Sequence, residues 1–337
     1  MFSGADAVFV GSDWKGTPAW NQYEKEFAAV GCTVVYLEYT EGISFSILRD
    51  RLNSNEQERK NMMSNSQSVR DVQNVILTIM KYVDGLCREH GIVYYIIGGT
   101  ALGAVRHGGF IPWDDDLDIL MTPDQYRKFK EVFEAEHSEQ FVLQEWRTTP
   151  DYLEYAKVRM NGTTLIEESF KDCKDMHQGI YVDIMILHKV PENIFIQKLV
   201  YYESKFVTLY ALSQRNWKTK TKGQEIVLKS LKLMPCKLMA KLFYRRIYRY
   251  DDMKSGYKYG RWISTLKFRN GLFDAAFFEK PVDIPFEDTV LLSSEKIREY
   301  LAYCYGDYMK LPSKEARKSA VHAAIFDVNK DYKEYMK

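Results

Sequence analysis

No stretch of this chain approaches the ~18 to 20 consecutive apolar residues that a bilayer-spanning helix requires. Its start, Met1 to Val10, carries Asp6 and no basic cluster, so it does not read as a signal peptide. Cysteine is sparse. The five thiols (Cys32, Cys87, Cys173, Cys236, Cys304) are odd in number, scattered and never in a C-x-x-C pair. That excludes a disulfide framework and a zinc ribbon, and points to a reduced, cytoplasmic setting. Charge of one sign is also missing: 47 Lys and Arg against 46 Asp and Glu leave +1, which argues against a protein that coats nucleic acid. What is present, 46% hydrophobic and 28% charged residues over 337 positions, is the profile of a globular protein. The length exceeds what one core usually fills, so two domains, or one domain and an appendage, are expected. The 24 tyrosines suit either a surface that stacks sugars or bases, or core filling with a polar tip.

The first fifty residues read as one β-α-β step: a short strand at Ala7 to Val10, a helix at Trp20 to Val30 and a strand at Thr33 to Leu37. Such a unit is too small to bury a sheet alone. Residues 53 to 65, NSNEQERKNMMSN, are polar and nonperiodic and read as a linker. From Ser66 to His90 apolar residues recur every three or four positions (Val69, Val72, Ile76, Ile79, Met80, Val83, Leu86), which predicts a long amphipathic helix ended by Gly91.

The chemistry concentrates in Gly91 to Met121. A strand at Val93 to Ile97 runs into Gly98 and Gly99, where the backbone turns, and a short helix follows over Thr100 to Val105. Backbone N–H groups at such a helix start can hold a phosphate. Pro112 and Trp113 then halt the chain, and Asp114, Asp115, Asp116 and Asp118 follow. In an extended strand Asp116 and Asp118 share a face while Leu117 and Ile119 turn to the core. Two such carboxylates repel unless a cation lies between them, and hard oxygen ligands favour Mg²⁺ or Mn²⁺. A third carboxylate, Asp183, interrupts the apolar strand Gly179 to Leu187, where a charge is costly unless paired. Arg106 follows the glycine turn and is a candidate phosphate partner. Lys157 and Arg159 flank Val158 on a strand and would face one side, toward a diphosphate. Cys173 and His177 have only loose zinc-ligand spacing with no second pair, so zinc is not expected.

This layout of strand, glycine turn, D-x-D and later single-Asp strand resembles the polymerase-β-like nucleotidyltransferase fold. The run GGTALGAVRHGGFIPWDDDLDI resembles more narrowly the signature of the LicD family and the related fukutin-type transferases. YAKVRMNGTTLIEE, HQGIYVDIMIL and YGDYMKLPSKEAR extend the likeness over about residues 68 to 322. It implies an α/β (α+β) core with added helices. It also implies transfer of a phospho-alcohol (phosphocholine, glycerol phosphate or ribitol phosphate) from a CDP-alcohol to a hydroxyl of a cell-surface glycan or its lipid-linked precursor, releasing CMP. The ion on Asp116 and Asp118 would bind diphosphate oxygens, with Asp183 a third ligand or the base for the acceptor hydroxyl, and Asp114 orienting a ligand from behind. Gly98, Gly99, Thr100, Arg106, Lys157 and Arg159 would serve the nucleotide, and His107 and His177 also fall on family positions. Transfer of NMP from an NTP, and a noncatalytic scaffold, are the other readings.

Residues 4 to 52, with VFVGSDWKGTPAW and Thr40 to Ser44 (TEGIS), resemble the closing segment of CDP-glycerol-type cytidylyltransferases, a Rossmann-like fold. That family's H-x-G-H motif has no counterpart here, so this remnant is not expected to make a CDP-alcohol from CTP. The expected organisation is residues 1–52 as the truncated segment, 53–65 as linker and 66–337 as the catalytic domain. Residues 215 to 249 carry eleven Lys and Arg against Glu225 alone, threaded with Leu and Met, and Pro235 should divide them into two helices. Such a segment suits either a solvated basic face or contact with an anionic membrane at the inner face of the cell membrane.

Overall fold

A computed structural model describes residues 7–11, 15–29, 31–37, 67–145, 155–173, 175–215, 219, 221–233, 236–251, 258–313 and 322–336. The chain divides into two compact units, Met1–Ser66 and Gln67–Lys337. In the first, β1 (Ala7–Gly11) is joined through α1 (Pro18–Ala29) to β2 (Thr33–Leu37), and the two strands pair in parallel. The Tyr36 hydroxyl donates to Glu24 Oε1 at 2.5 Å and ties β2 to the helix. The Thr40 to Ser44 stretch, the 53–65 segment and Pro235 lie outside the described residues.

The second unit opens with α2 (Val69–Glu89). Ser68 and Asp71 form a reciprocal capping box at its start, and Gly91 at φ +59° follows its end. Its buried stripe of Val72, Ile76, Ile79, Met80, Val83 and Leu86 is the one the spacing predicts, and it lies against the main core. Next come β3 (Tyr95–Ile96), α3 (Gly98–His107), β4 (Asp118–Met121), α4 (Pro123–Glu136), β5 (Phe141–Gln144), β6 (Ala156–Met160), β7 (Thr164–Glu167) and β8 (Tyr181–Ile186). Five of these strands form a mixed sheet of order β3-β4-β8-β6-β5, in which β4 and β8 are parallel and the other pairs antiparallel.

Two boundaries differ from expectation. The predicted strand Val93 to Ile97 shrinks to two residues at the sheet edge, because the Val93 N–H goes to the Gln125 side chain at 2.8 Å instead of to a strand. The helix after the glycines starts at Gly98 rather than Thr100.

After β9 (His188–Lys189) three helices follow: α5 (Ile194–Ser213), α6 (Lys222–Leu233) and α7 (Lys237–Tyr248). α6 and α7 fall either side of position 235, where proline cannot continue a helix. α5 and α7 share a second, smaller core that includes Val207, Tyr210, Ala240, Ile247 and the 2% exposed Trp262. The chain closes with β10 (Lys258–Gly260), β11 (Leu272–Asp274), the hairpin β12 (Pro281–Phe286) and β13 (Thr289–Ser294), α8 (Ile297–Tyr305) and β14 (Ala323–Asp327), which pairs with β7. The fold is mixed α/β with a nucleotidyltransferase-type core.

Candidate active site

Strand register assembles the charged groups. Asp118 on β4 sits directly opposite Asp183 on β8, and Lys157 on β6 sits opposite Asp183 on its other side. Residues in register point to the same face of a sheet, so the three form one row. Lys157 Nζ lies 2.7 Å from Asp183 Oδ1, 3.6 Å from Glu167 Oε1 and 3.3 Å from the Tyr181 ring centre. This ammonium is 1% exposed, and its carboxylate and aromatic partners are what make a buried cation tolerable.

The glycine turn is built around the same row. Gly98 has φ +59°, a left-handed conformation that favours glycine, and a Cβ there would sit 3.1 Å from Asp118 Oδ2. At Gly99 a Cβ would sit 2.6 Å from Asp114 Oδ2. Two carboxylates are therefore pressed against the N-terminus of α3, where side chains would block them. Thr100 Oγ1 accepts the Asp118 N–H at 2.8 Å and locks the turn to β4. Behind the acidic run, buried Gln73 donates to the carbonyls of Ile111 (3.0 Å) and Asp114 (2.8 Å) and holds the Pro112–Trp113 turn in place.

Burial and mutual repulsion push the carboxyls up. Asp118 and Asp183 are both raised to about 7, first by burial; next, Asp116 repels Asp118, and Asp183, eased by Lys157, is repelled by Asp118. Asp116 rises to about 8 and Asp114 to about 6, again from burial first; Asp114 repels Asp116, whereas Asp114 is itself raised by Asp118 and Asp115 and eased by a hydrogen bond with Asp116. Asp115 behaves oppositely. Burial raises it, but the His322 ring and the His322 and Ala323 backbone N–H groups outweigh that and leave it lowered.

The other anticipated residues divide. Lys157 stands in the row. Arg159 is also 1% exposed, but its Nε donates to Gln144 Oε1 (2.6 Å) and its Nη1 to the Gly179 carbonyl (2.7 Å). His177 accepts from the Gly179 N–H (3.1 Å), bonds Asn161 (2.9 Å) and meets the Tyr332 ring at a tilt, and burial holds its ring down at about 4. Arg106 donates to the Tyr308 carbonyl (3.0 Å) and to the neighbouring His107 ring (3.0 Å), and the exposed His107 meets Trp113 edge-on. The structure thus brings Gly98, Gly99, Thr100, Asp114, Asp116, Asp118, Lys157 and Asp183 together, and gives Arg106, His107, Arg159 and His177 partners elsewhere.

Two further charged groups near the carboxylates escaped sequence reasoning. His322, 207 positions beyond Asp115, donates its backbone N–H to both Asp115 oxygens (2.9 and 3.0 Å), and its Nδ1 lies 3.2 Å from Asp115 and 3.5 Å from Asp116. The hydrogen bond to Asp115 raises this imidazole to about 9. Arg261 is the second. Its charge lowers Asp118, its Nη1 contacts Met185 Sδ at 2.9 Å, and its buried Nε has no hydrogen-bond partner among the described residues. Arg261, His322, Glu167, Arg215, His188 and Tyr248 all line a cavity of about 260 Å³ beside the carboxylates. No local signal marks either residue, since each arrives from a distant segment. A larger cavity of about 390 Å³, lined by Tyr126, Lys130, Glu145 and Tyr244, does not touch the row.

Among the described residues no three carboxylate, imidazole or thiol groups converge on one point at metal-ligating distance. Asp183 is turned to Lys157, and Asp115 and Asp116 to His322. The donor set nevertheless suits a hard divalent cation in kind. Five aspartates crowd a site where Lys157, His322 and Arg261 supply the positive charge, and burial and neighbouring carboxylates raise four of them.

Sheet order, glycine turn and paired-strand carboxylates define a nucleotidyltransferase-type domain, and residues 91–235 match the family described as LicD/FKTN/FKRP, nucleotidyltransferase domain. The chain thus carries a LicD-type domain over residues 91–235. It is 29% identical over 261 residues to the lipopolysaccharide cholinephosphotransferase LicD of Haemophilus influenzae, covering 74% of this chain and 95% of that protein. A segment of 39 residues is 49% identical to the ribitol 5-phosphate transferase FKRP of Homo sapiens, 12% of this chain and 8% of that one. An uncharacterized protein of Rickettsia prowazekii, RP689, is 29% identical over 157 residues, 45% of this chain and 52% of its own.

Proposed function

We propose that this chain is a phosphotransferase that moves a phospho-alcohol from a CDP-alcohol to a hydroxyl of a cell-surface glycan or its lipid-linked precursor, with release of CMP. The observation that carries the reading is the row of Asp118, Asp183 and Lys157 at the N-terminus of α3, in a chain with a LicD-type domain. Its named relatives are a cholinephosphotransferase and a ribitol phosphate transferase.

Asp116 and Asp118 would hold Mg²⁺ or Mn²⁺, which when bound supplies charge neutralisation for a diphosphate. The N–H groups at the start of α3 present a partial positive charge to a phosphate oxygen. Arg261 gives the cavity a permanent cation with a bidentate fork suited to the same group. Asp183, 3% exposed and paired with Lys157, is better placed to support a bound cation than to meet an incoming hydroxyl as a base. Asp114 abuts the glycine turn and steadies Asp116. Because this sequence holds no H-x-G-H motif, incubation of the chain with CTP and an alcohol phosphate should yield no CDP-alcohol.

The test is a panel of CDP-choline, CDP-glycerol, CDP-ribitol and CDP-ethanolamine with MgCl₂ and a glycan acceptor, scored by CMP release. Release with one donor, reduced at least ~100-fold by Asp118→Ala and at least ~10-fold by Arg261→Met, is expected. Label from an NTP base appearing on the acceptor would instead make the chain a nucleotidyltransferase. Silence toward every donor and every NTP would leave a scaffold.

A further inference from the structure

We propose that α5, α6 and α7 form a docking surface for an anionic lipid bilayer. The starting observation is α6, a twelve-residue helix of which no residue is buried. A helix on a globular protein ordinarily hides an apolar stripe. Here Ile226 and Leu233, seven positions apart and so on one face, are 64% and 87% exposed. The neighbouring helices repeat the pattern, with Phe195 of α5 79% exposed and Leu238 of α7 78% exposed. On α7 the opposite side, Ala240, Tyr244 and Ile247, is fully used in the second core, so the outward leucines are surplus to folding. Apolar residues of this size, outward on three packed helices, mark an interaction surface.

Charge selects the occupant. α6 and α7 together carry seven Lys and Arg against the single acid Glu225, which Lys229 already pairs at 2.7 Å. The cations are spaced to flank the apolar residues. Lys229 is three positions after Ile226 and four before Leu233, Lys241 is three after Leu238, and Arg245 is three after Leu242. At those spacings the aliphatic stems run alongside the buried side chains while the charged heads rise to headgroup level. A second copy of this chain is disfavoured as the occupant, because two like-charged faces would have to meet. An anionic bilayer satisfies both the apolar residues and the cations. No described helix is long and apolar enough to cross a membrane, so the contact is peripheral. Tyr248 at the end of α7 also lines the cavity beside the carboxylates, which places the surface on the layer that borders the site. The inference rests on these helices and not on the reaction.

Co-sedimentation of the full chain with vesicles tests it. Binding is expected to vesicles of phosphatidylcholine and phosphatidylglycerol, to weaken in high salt, and to be slight with phosphatidylcholine alone. The triple variant Lys229→Glu, Lys232→Glu and Lys241→Glu should lower partitioning by roughly 100-fold. Leu233→Ser with Leu238→Ser should lower it roughly 10-fold or more while salt sensitivity persists. Lys229, Lys232, Leu233 and Leu238 are exposed and Lys241 is half-buried, and an unchanged melting temperature confirms that the variants fold. No binding to anionic vesicles in low salt overturns the proposal, as does binding that neither set of substitutions reduces. Self-association in sedimentation velocity that the leucine variants abolish, without vesicle binding, also overturns it.

Discussion

Replacing Asp118 by Asn should stabilise the metal-free protein at neutral and higher pH while abolishing the activity proposed for it. The Asp118 carboxyl moves from 3.8 when unfolded to about 7 when folded. Between those values the folded state holds a proton that the unfolded chain has released, so stability is greatest below pH ~4 and falls as pH rises through ~7. A shift of about three units corresponds to ~4 kcal/mol lost over that window. Asparagine carries no charge to repel Asp116 and keeps a polar oxygen beside Gly98, so the variant should escape this loss. Urea unfolding at pH 5, 6, 7 and 8 in EDTA should show Asp118→Asn overtaking the native protein and exceeding it by up to ~4 kcal/mol at pH 8. With MgCl₂ at about 100 times its dissociation constant the native protein should recover ~2.7 kcal/mol and the variant much less. A variant less stable than the native chain at pH 8 in EDTA, or parallel pH profiles for the two, would refute the argument that burial and carboxylate repulsion penalise the Asp118 charge.

Three further outcomes follow from the same geometry. Lys157→Met should destabilise by ~3 to 5 kcal/mol, measured by urea unfolding at pH 8, because Asp183 and Glu167 lose their buried counter-ion. Adding Asp183→Asn to it should restore much of that loss. For His322, raised to about 9 from 6.5, the stabilisation is fully present below pH 6.5 and disappears as pH rises through 9. The melting temperature of His322→Ala should therefore lie below that of the native chain at pH 6, with the gap closing by pH 10. Gly98→Ala places a Cβ in a left-handed conformation 3.1 Å from Asp118 Oδ2 and should cost ~1 to 2 kcal/mol in thermal unfolding, together with a loss of turnover.

Much of the architecture was legible in order along the chain. The α2 stripe, the strand carrying Asp183 and the helix break near position 235 follow from three-to-four spacing, an apolar run and a proline, all of which act locally. The acidic run after a glycine turn was likewise visible. Lys157 was expected on a strand face, whereas its burial against Asp183, Glu167 and Tyr181 was not, because register across three strands is not written in any one of them. Arg159 had the same alternation and so the same expected face, yet its position two residues along the strand gives it hydrogen bonds to Gln144 and Gly179 in place of the close ion pair that Lys157 makes with Asp183. Composition could not distinguish these two cations.

The sequence by itself determined the types and spacing of the groups: glycines where no side chain fits, aspartates two apart, a basic and leucine-rich segment after position 215. Only the tertiary structure decided which of them meet. It brought His322 back to Asp115 across 207 positions, set Arg261 where its charge lowers Asp118, and left Leu233 and Leu238 outward rather than in a core. The physical reason is that local spacing fixes the direction of a side chain relative to its own helix or strand, whereas burial and charge pairing depend on elements far apart in sequence that pack together only when the chain folds.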